Sequence, residues 1–94
     1  MMTTPNGSVG PVLRAGPLAV LIVQAIKAAN QEVTIIDRGS YLRVHVPTRC
    51  VLRRDLVEQY LGAPFLLPGD LESVMSSFMG RLTISENVAV WEAT

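Results

Sequence analysis

Two short apolar runs, residues 33–38 and 41–46, are separated only by Gly39-Ser40, and no other stretch constrains the fold as tightly. A two-residue connection that opens on glycine suits a type II′ turn, whose twist matches antiparallel strands, so the spacing predicts a β-hairpin. In its second strand Leu42, Val44 and Val46 alternate with Tyr41, Arg43 and His45. Successive strand side chains face opposite ways, so the first set belongs to a core and the second to solvent or a partner. Pro47 ends the strand, having no N–H to give a ladder.

Residues 1–8 are polar, carry Pro5 and Gly7, and are expected to form a mobile tail, leaving one domain over residues 9–94. Val9, Val12 and Leu13, with Gly10 and Pro11, predict a short irregular strand, which Pro11 assigns to a sheet edge or a strand end. Pro17 fits the first position of a helix that Asn30 stops. Leu18, Leu21, Ile22, Ala25, Ile26 and Ala29 form its buried stripe, with Val20 and Val23 outside it, under a loop or exposed to a partner.

Val51 and Leu52 lead into a second predicted helix over residues 53–61, capped by Gly62 in the left-handed conformation. Residues 63–70, with Pro64, Pro68 and Gly69, read as a loop. Residues 71–77 fit a helix or an extended segment; the extended reading is favoured, running on to Ile84 with a kink at Gly80. A second hairpin closes the chain, residues 85–87 forming its turn with Asn87 left-handed and Trp91 lying over the core. The result is a small single-domain α+β fold in the order β-α-β-β-α-β-β, mostly antiparallel sheet packed with two helices.

Few chemistries fit this composition. With one cysteine, Cys50, and one histidine, His45, no tetrahedral zinc or iron–sulfur ligand set can be assembled. A thiolate–imidazole pair would need these two residues on facing surfaces; the simpler expectation is a buried Cys50 and an outward-facing His45. No glycine-rich phosphate loop is present. Eight basic and eight acidic residues cancel, so no long-range field recruits nucleic acid or a membrane. The cluster Arg49, Arg53 and Arg54 is the basis of an alternative reading, an adaptor or nucleic-acid module, but Asp55 and Glu58 interrupt it and Arg54 can pair with Glu58. One cysteine suits a reducing compartment, and no run reaches the roughly 20 apolar residues that span a bilayer. A soluble cytoplasmic protein is expected.

Four stretches together resemble a known family: S-V-G-P-V-L-R-A-G at residues 8–16, D-R-G-S-Y-L-R-V at 37–44, L-V-E-Q-Y-L-G-A-P-F at 56–65, and L-E-S-V-M-S-S-F-M-G-R-L at 71–82 with the closing hairpin. In order, spacing and length they resemble the effector, or coupling, proteins of soluble diiron multicomponent monooxygenases, most of all the toluene and alkene types. The long N-terminal extension of the methane type is lacking, Arg53 stands where a threonine would cap the second helix, and Pro68-Gly69 is added.

The resemblance implies a non-catalytic protein with no cofactor of its own. Its partner would be the diiron hydroxylase large subunit, with competition from a ferredoxin or reductase, and it would be a monomer when free. Docking would shift the helices that carry the iron ligands and couple NADH-derived electrons to oxidation of an aromatic or alkene substrate. By the same resemblance Ser76, Ser77, Phe78 and Met79 would face the hydroxylase, and Gly80 would permit close approach. Val9, Gly10, Pro11 and Arg14 would order on docking, with Tyr41 and Arg43 as weaker contacts. The competing reading places Phe78 and Met79 in the core.

Overall fold

A computed structural model describes residues 7–94. The expected mobile tail lies outside the described residues except at its end, where Ser8 is already buried and hydrogen-bonded in a strand. In chain order the elements are β1 (Ser8–Arg14), α1 (Pro17–Ala29), β2 (Thr34–Asp37), β3 (Tyr41–Pro47), β4 (Arg49–Arg53), α2 (Arg54–Leu61), α3 (Gly69–Glu72), β5 (Met75–Met79), β6 (Arg81–Ile84) and β7 (Val88–Glu92). The α+β class and the expected order hold. The expected bent segment is extended only from Met75, dividing at Gly80 into β5 and β6; Leu71 and Glu72, with Gly69 and Asp70 of the expected loop, instead form the single-turn helix α3, and the strand β4 is a further added element.

Every strand pairing is antiparallel, in two sheets ordered β2-β3-β1-β5 and β4-β7-β6. The hairpin forms as its spacing requires: Arg38 N–H donates to the Tyr41 carbonyl at 2.9 Å, and Gly39 alone of the two turn residues has a positive φ, 83°. Asp37 Oδ1 accepts from Gly39 N–H at 2.8 Å and tightens the turn. The closing hairpin is tighter than expected. Ser85 N–H donates to the Val88 carbonyl at 2.9 Å, leaving Glu86-Asn87 as the connection, and Asn87 is not left-handed. The Ser85 hydroxyl accepts from Asn87 and Val88 N–H at 3.4 and 3.3 Å, so the turn needs no positive φ.

Pro11 departs from expectation by sitting in a central strand, between β3 and β5. The β1–β3 ladder explains this: it runs through Val9↔Val46, lapses across Gly10 and Pro11, and resumes at Val12↔Arg43 in unchanged register. The lapse on the β3 side accommodates a residue without an N–H, while Pro11 remains in register with Phe78 of β5. A β-carbon on Gly10, whose φ is 143°, would lie 2.5 Å from the Val44 carbonyl oxygen, so glycine is what lets the strands approach there.

The core is one cluster joining both sheets to the helices, centred on Leu13, Ile22, Ile26, Leu52, Val57, Phe65, Leu71 and Trp91. In α1 the buried face is broader than the predicted stripe: Ala19 and Val23 are inside, and Val20 alone of the two valines is open, at 50 % exposure. Asn30 ends α1 in extended geometry and bonds across to β4. The cap of α2 is Gly62 in the left-handed conformation, its N–H donating to the Glu58 carbonyl at 2.8 Å. Arg53 precedes α2 at the cap position without any side-chain cap bond.

Candidate functional site

No described residues assemble a reactive centre. No group of three His, Cys, Asp or Glu side chains stands together among them. Cys50 is fully buried on β4, opposite Trp91, and burial pushes its thiol up to about 12, so no thiolate is on offer near neutral pH. His45 lies on β3 in the other sheet. It stays on the outer face of the strand, as alternation predicts, but is covered there: it is 3 % exposed, and neither ring nitrogen has a hydrogen-bond partner among the described residues. Desolvation, aided by the nearby positive charge of Arg43, holds its pKa below the usual 6.5.

The arginine cluster is likewise absorbed. Arg53 pairs with Asp55 at 2.6 Å, Arg54 with Glu58 at 3.8 Å, and Arg49 with Glu92 at 3.6 Å. The first pair is reinforced by a second guanidinium–carboxylate bond, and that hydrogen bonding holds the Asp55 carboxyl below its usual range. Two open hollows of about 410 and 400 Å³ border Asn30, Thr48 and Arg49 and border Arg53, Arg54 and Asn87, without a catalytic set in either.

A distinctive surface lies along β5 and continues into β6. The first is an edge of the four-stranded sheet and the second an edge of the three-stranded sheet, so the chain from Met75 to Ile84 presents an open flank on both. On β5, Ser76, Ser77 and Phe78 are exposed, Phe78 at 42 %, and Met75 and Met79 are half-buried. The β1–β5 register runs Gly10↔Met79, Pro11↔Phe78, Val12↔Ser77, then shifts to Leu13↔Met75. Ser76 is therefore the extra residue of a β-bulge, its hydroxyl donating to the Val12 carbonyl at 3.5 Å. A bulge followed by a kink at Gly80 twists this edge and discourages indiscriminate strand pairing.

Gly80 has its own structural reason. A β-carbon there would lie 2.6 Å from Val9 Cγ1 and 2.8 Å from the Glu92 carbonyl oxygen, at a φ of 100°. Bareness at this position closes one sheet onto the other, although the residue's backbone is also exposed.

Strand alternation divides the residues singled out from the sequence. Val9, with 2 % exposure, is core, and Gly10 and Pro11 are buried, so these three offer no surface in the free protein. Arg14 is exposed and bonds to the Ser73 carbonyl. Tyr41 and Arg43 are half-buried, and Arg43 Nη2 lies 3.9 Å from Met79 Sδ, so the hairpin face and the β5 edge meet in one surface. Sequence reasoning omitted Val12 and Ile36. The register sets Ile36, Arg43, Val12 and Ser77 in one cross-strand row, with Val12 half-buried at its middle. Period-2 alternation read outward from Leu13 would have found Val12.

The described residues form a small antiparallel domain with an open, bulged strand edge, the form of a protein that meets its partner along a sheet edge. The family model described as the MmoB/DmpM family matches residues 7–92. The alkene monooxygenase system effector subunit of Xanthobacter autotrophicus (strain ATCC BAA-1158 / Py2) is 45% identical over 85 residues, covering 88% of this chain and 83% of that protein. Two solved structures of a phenol hydroxylase–regulatory protein complex contain chains of the same fold. One has a TM-score of 0.84 at 15% identity, covering 95% of this chain and 100% of that one. The other has a TM-score of 0.74 at 17% identity, covering 86% and 95%. The chain belongs to the MmoB/DmpM family, and is an effector or regulatory subunit of a multicomponent monooxygenase.

Proposed function

We propose that this chain docks on the hydroxylase component of its own monooxygenase through the β5 edge and the adjoining outer face of the four-stranded sheet. The observation that carries this reading is Phe78, a large apolar side chain 42 % exposed on an open edge strand, next to the small exposed Ser77 and on the opposite side of the strand from it. An exposed aromatic on a strand edge suits insertion into a partner, where a few well-packed aromatics supply most of the affinity. Ser77, Met79, Arg43, Tyr41 and Arg14 share the outer sheet face, so the contact wraps around the β5 edge from Phe78 onto that face, and the Gly80 backbone borders it.

Docking of this kind acts by differential affinity. An effector that binds the oxygen-reactive state of a diiron hydroxylase tenfold better than its resting state shifts that equilibrium by about 1.4 kcal/mol. The outcome is faster turnover and tighter coupling of NADH oxidation to hydrocarbon oxidation. An alkene substrate is favoured by the 45% identical relative, which serves an alkene monooxygenase. Contact with the hydroxylase is supported by chains of this fold found in complex with phenol hydroxylase.

Steady-state oxidation of a short alkene and of toluene by the cognate hydroxylase, with and without this protein, tests the reading. A saturable gain in product per NADH near one effector per active site is expected. No gain with an active hydroxylase overturns it.

A further inference from the structure

The outer face of the four-stranded sheet is one-signed. Its charged side chains are Arg14 on β1 and Arg43 on β3, whereas Asp37, the one acidic residue within these four strands, pairs with Leu42 and alternates to the other face. The chain as a whole carries no net charge, and Arg49, Arg53 and Arg54 each have a carboxylate partner elsewhere. Neither Arg14 nor Arg43 has one among the described residues.

Arg14 pairs with Tyr41, two residues before Arg43 on the same strand, so the backbones of the two arginines are diagonal cross-strand neighbours about 7–8 Å apart, while their guanidinium groups reach towards opposite ends of β5, Arg14 to Ser73 and Arg43 to Met79. The two cations thus span the face without a carboxylate on it. Arg14 bonds to the Ser73 carbonyl, which holds it beside the β5 end of the face. Arg43 is half-buried, yet its side-chain contact is the weak acceptor Met79 Sδ at 3.9 Å, leaving most of its five N–H donors for a partner. The field is felt locally, since Arg43 helps to depress the His45 pKa.

We infer that the surface meeting this face is acidic, and that a carboxylate of the hydroxylase seats on the fork of Arg43. This rests on the docking reading above and gives the partner's chemistry. A planar guanidinium binds a carboxylate bidentately, which fixes register as well as adding affinity. The apolar edge at Phe78 then supplies burial while Arg43, with Arg14 adding to the positive face, supplies orientation and on-rate.

The test is the affinity of the intact effector for the cognate hydroxylase, measured at low and high salt for wild type, Arg14→Gln, Arg43→Gln, Arg43→Lys, Arg49→Gln and Phe78→Ala. Circular dichroism melts confirm that each is folded. Expected are weaker binding in salt for wild type, about tenfold weaker binding with a flatter salt response for Arg43→Gln, partial rescue by Arg43→Lys, and no change for Arg49→Gln. Unchanged affinity and salt response in both Arg14→Gln and Arg43→Gln, with binding lost in Phe78→Ala, overturns the acidic-partner inference and keeps the docking surface. Unchanged binding in all of them removes the docking surface itself. Salt-sensitive self-association or oligonucleotide binding that depends on Arg43, with hydroxylase affinity untouched, reassigns the cationic face and overturns the inference.

Discussion

The side chain of Asn30 bonds the peptide group of Val51 as a neighbouring strand would: Oδ1 accepts from Val51 N–H at 2.9 Å, and Nδ2 donates to the Val51 carbonyl at 2.8 Å. The same Nδ2 donates to the Ile26 carbonyl at 2.7 Å, so one amide ends α1 and closes the outer edge of β4. Asn30→Ala leaves the half-buried Val51 groups unpaired and is expected to cost about 1–3 kcal/mol. Urea unfolding should show a lower midpoint with an unchanged m-value.

Gly80→Ala is expected to destabilise by about 2–4 kcal/mol, combining left-handed backbone strain with a β-carbon forced against Val9 and the Glu92 carbonyl. A β-carbon on Gly69 would meet nothing within 4 Å, and its φ is not positive. Gly69→Ala should therefore stay within about 0.5 kcal/mol of wild type in the same unfolding assay.

Burial raises the Cys50 thiol from an ordinary 9.0 to about 12. The unfolded thiol loses its proton first as pH rises, so the stability this group contributes is complete below pH 9.0 and is lost between there and about 12. Near neutral pH, labelling with a thiol reagent should be slow for the folded chain and rapid in denaturant. Cys50→Ser, which places an unpartnered hydroxyl in the same site, should cost about 1–3 kcal/mol.

His45 gives the opposite trend. Its folded pKa lies below 6.5, through burial first and Arg43 second, so the unfolded chain gains the proton at higher pH than the folded one. Stability is full above pH 6.5 and falls as pH drops through the folded value. Thermal melts at about pH 7.5 and about pH 5.5 should differ more for wild type than for His45→Leu, in which the ionisable group is gone.

Phe78→Ala should abolish the gain in product per NADH while moving the melting temperature little, because the ring is 42 % exposed in the free protein. A large loss of stability with full retention of the effector's action would return Phe78 to the core.

Elements set by neighbouring residues are legible in the sequence. The turn at Gly39-Ser40, the Pro17 start of α1 and the left-handed cap at Gly62 each depend on a few adjacent torsions and one or two backbone bonds. β4 is not legible in this way: its five residues have arginine at both ends and run directly into α2 without a breaking residue. Its extended form comes from pairing with β7 on one side and Asn30 on the other, contacts distant in sequence. The short α3 escapes for a related reason, since a single turn shows no full helical period.

At the docking surface, residue order was enough for the α+β class, the resemblance to effector proteins, and the small-residue stretch around Ser76 and Ser77. Three-dimensional packing was needed to make β1 central, which withdraws Val9, Gly10 and Pro11 from the surface, and to set Arg43 on one face with Val12, Ser77 and Met79. Alternation fixes which residues of one strand share a face, but the register between strands fixes which residues of different strands meet. That register is set here by close packing at Gly10 and Gly80 and by the bulge at Ser76, where segments distant in sequence are brought together.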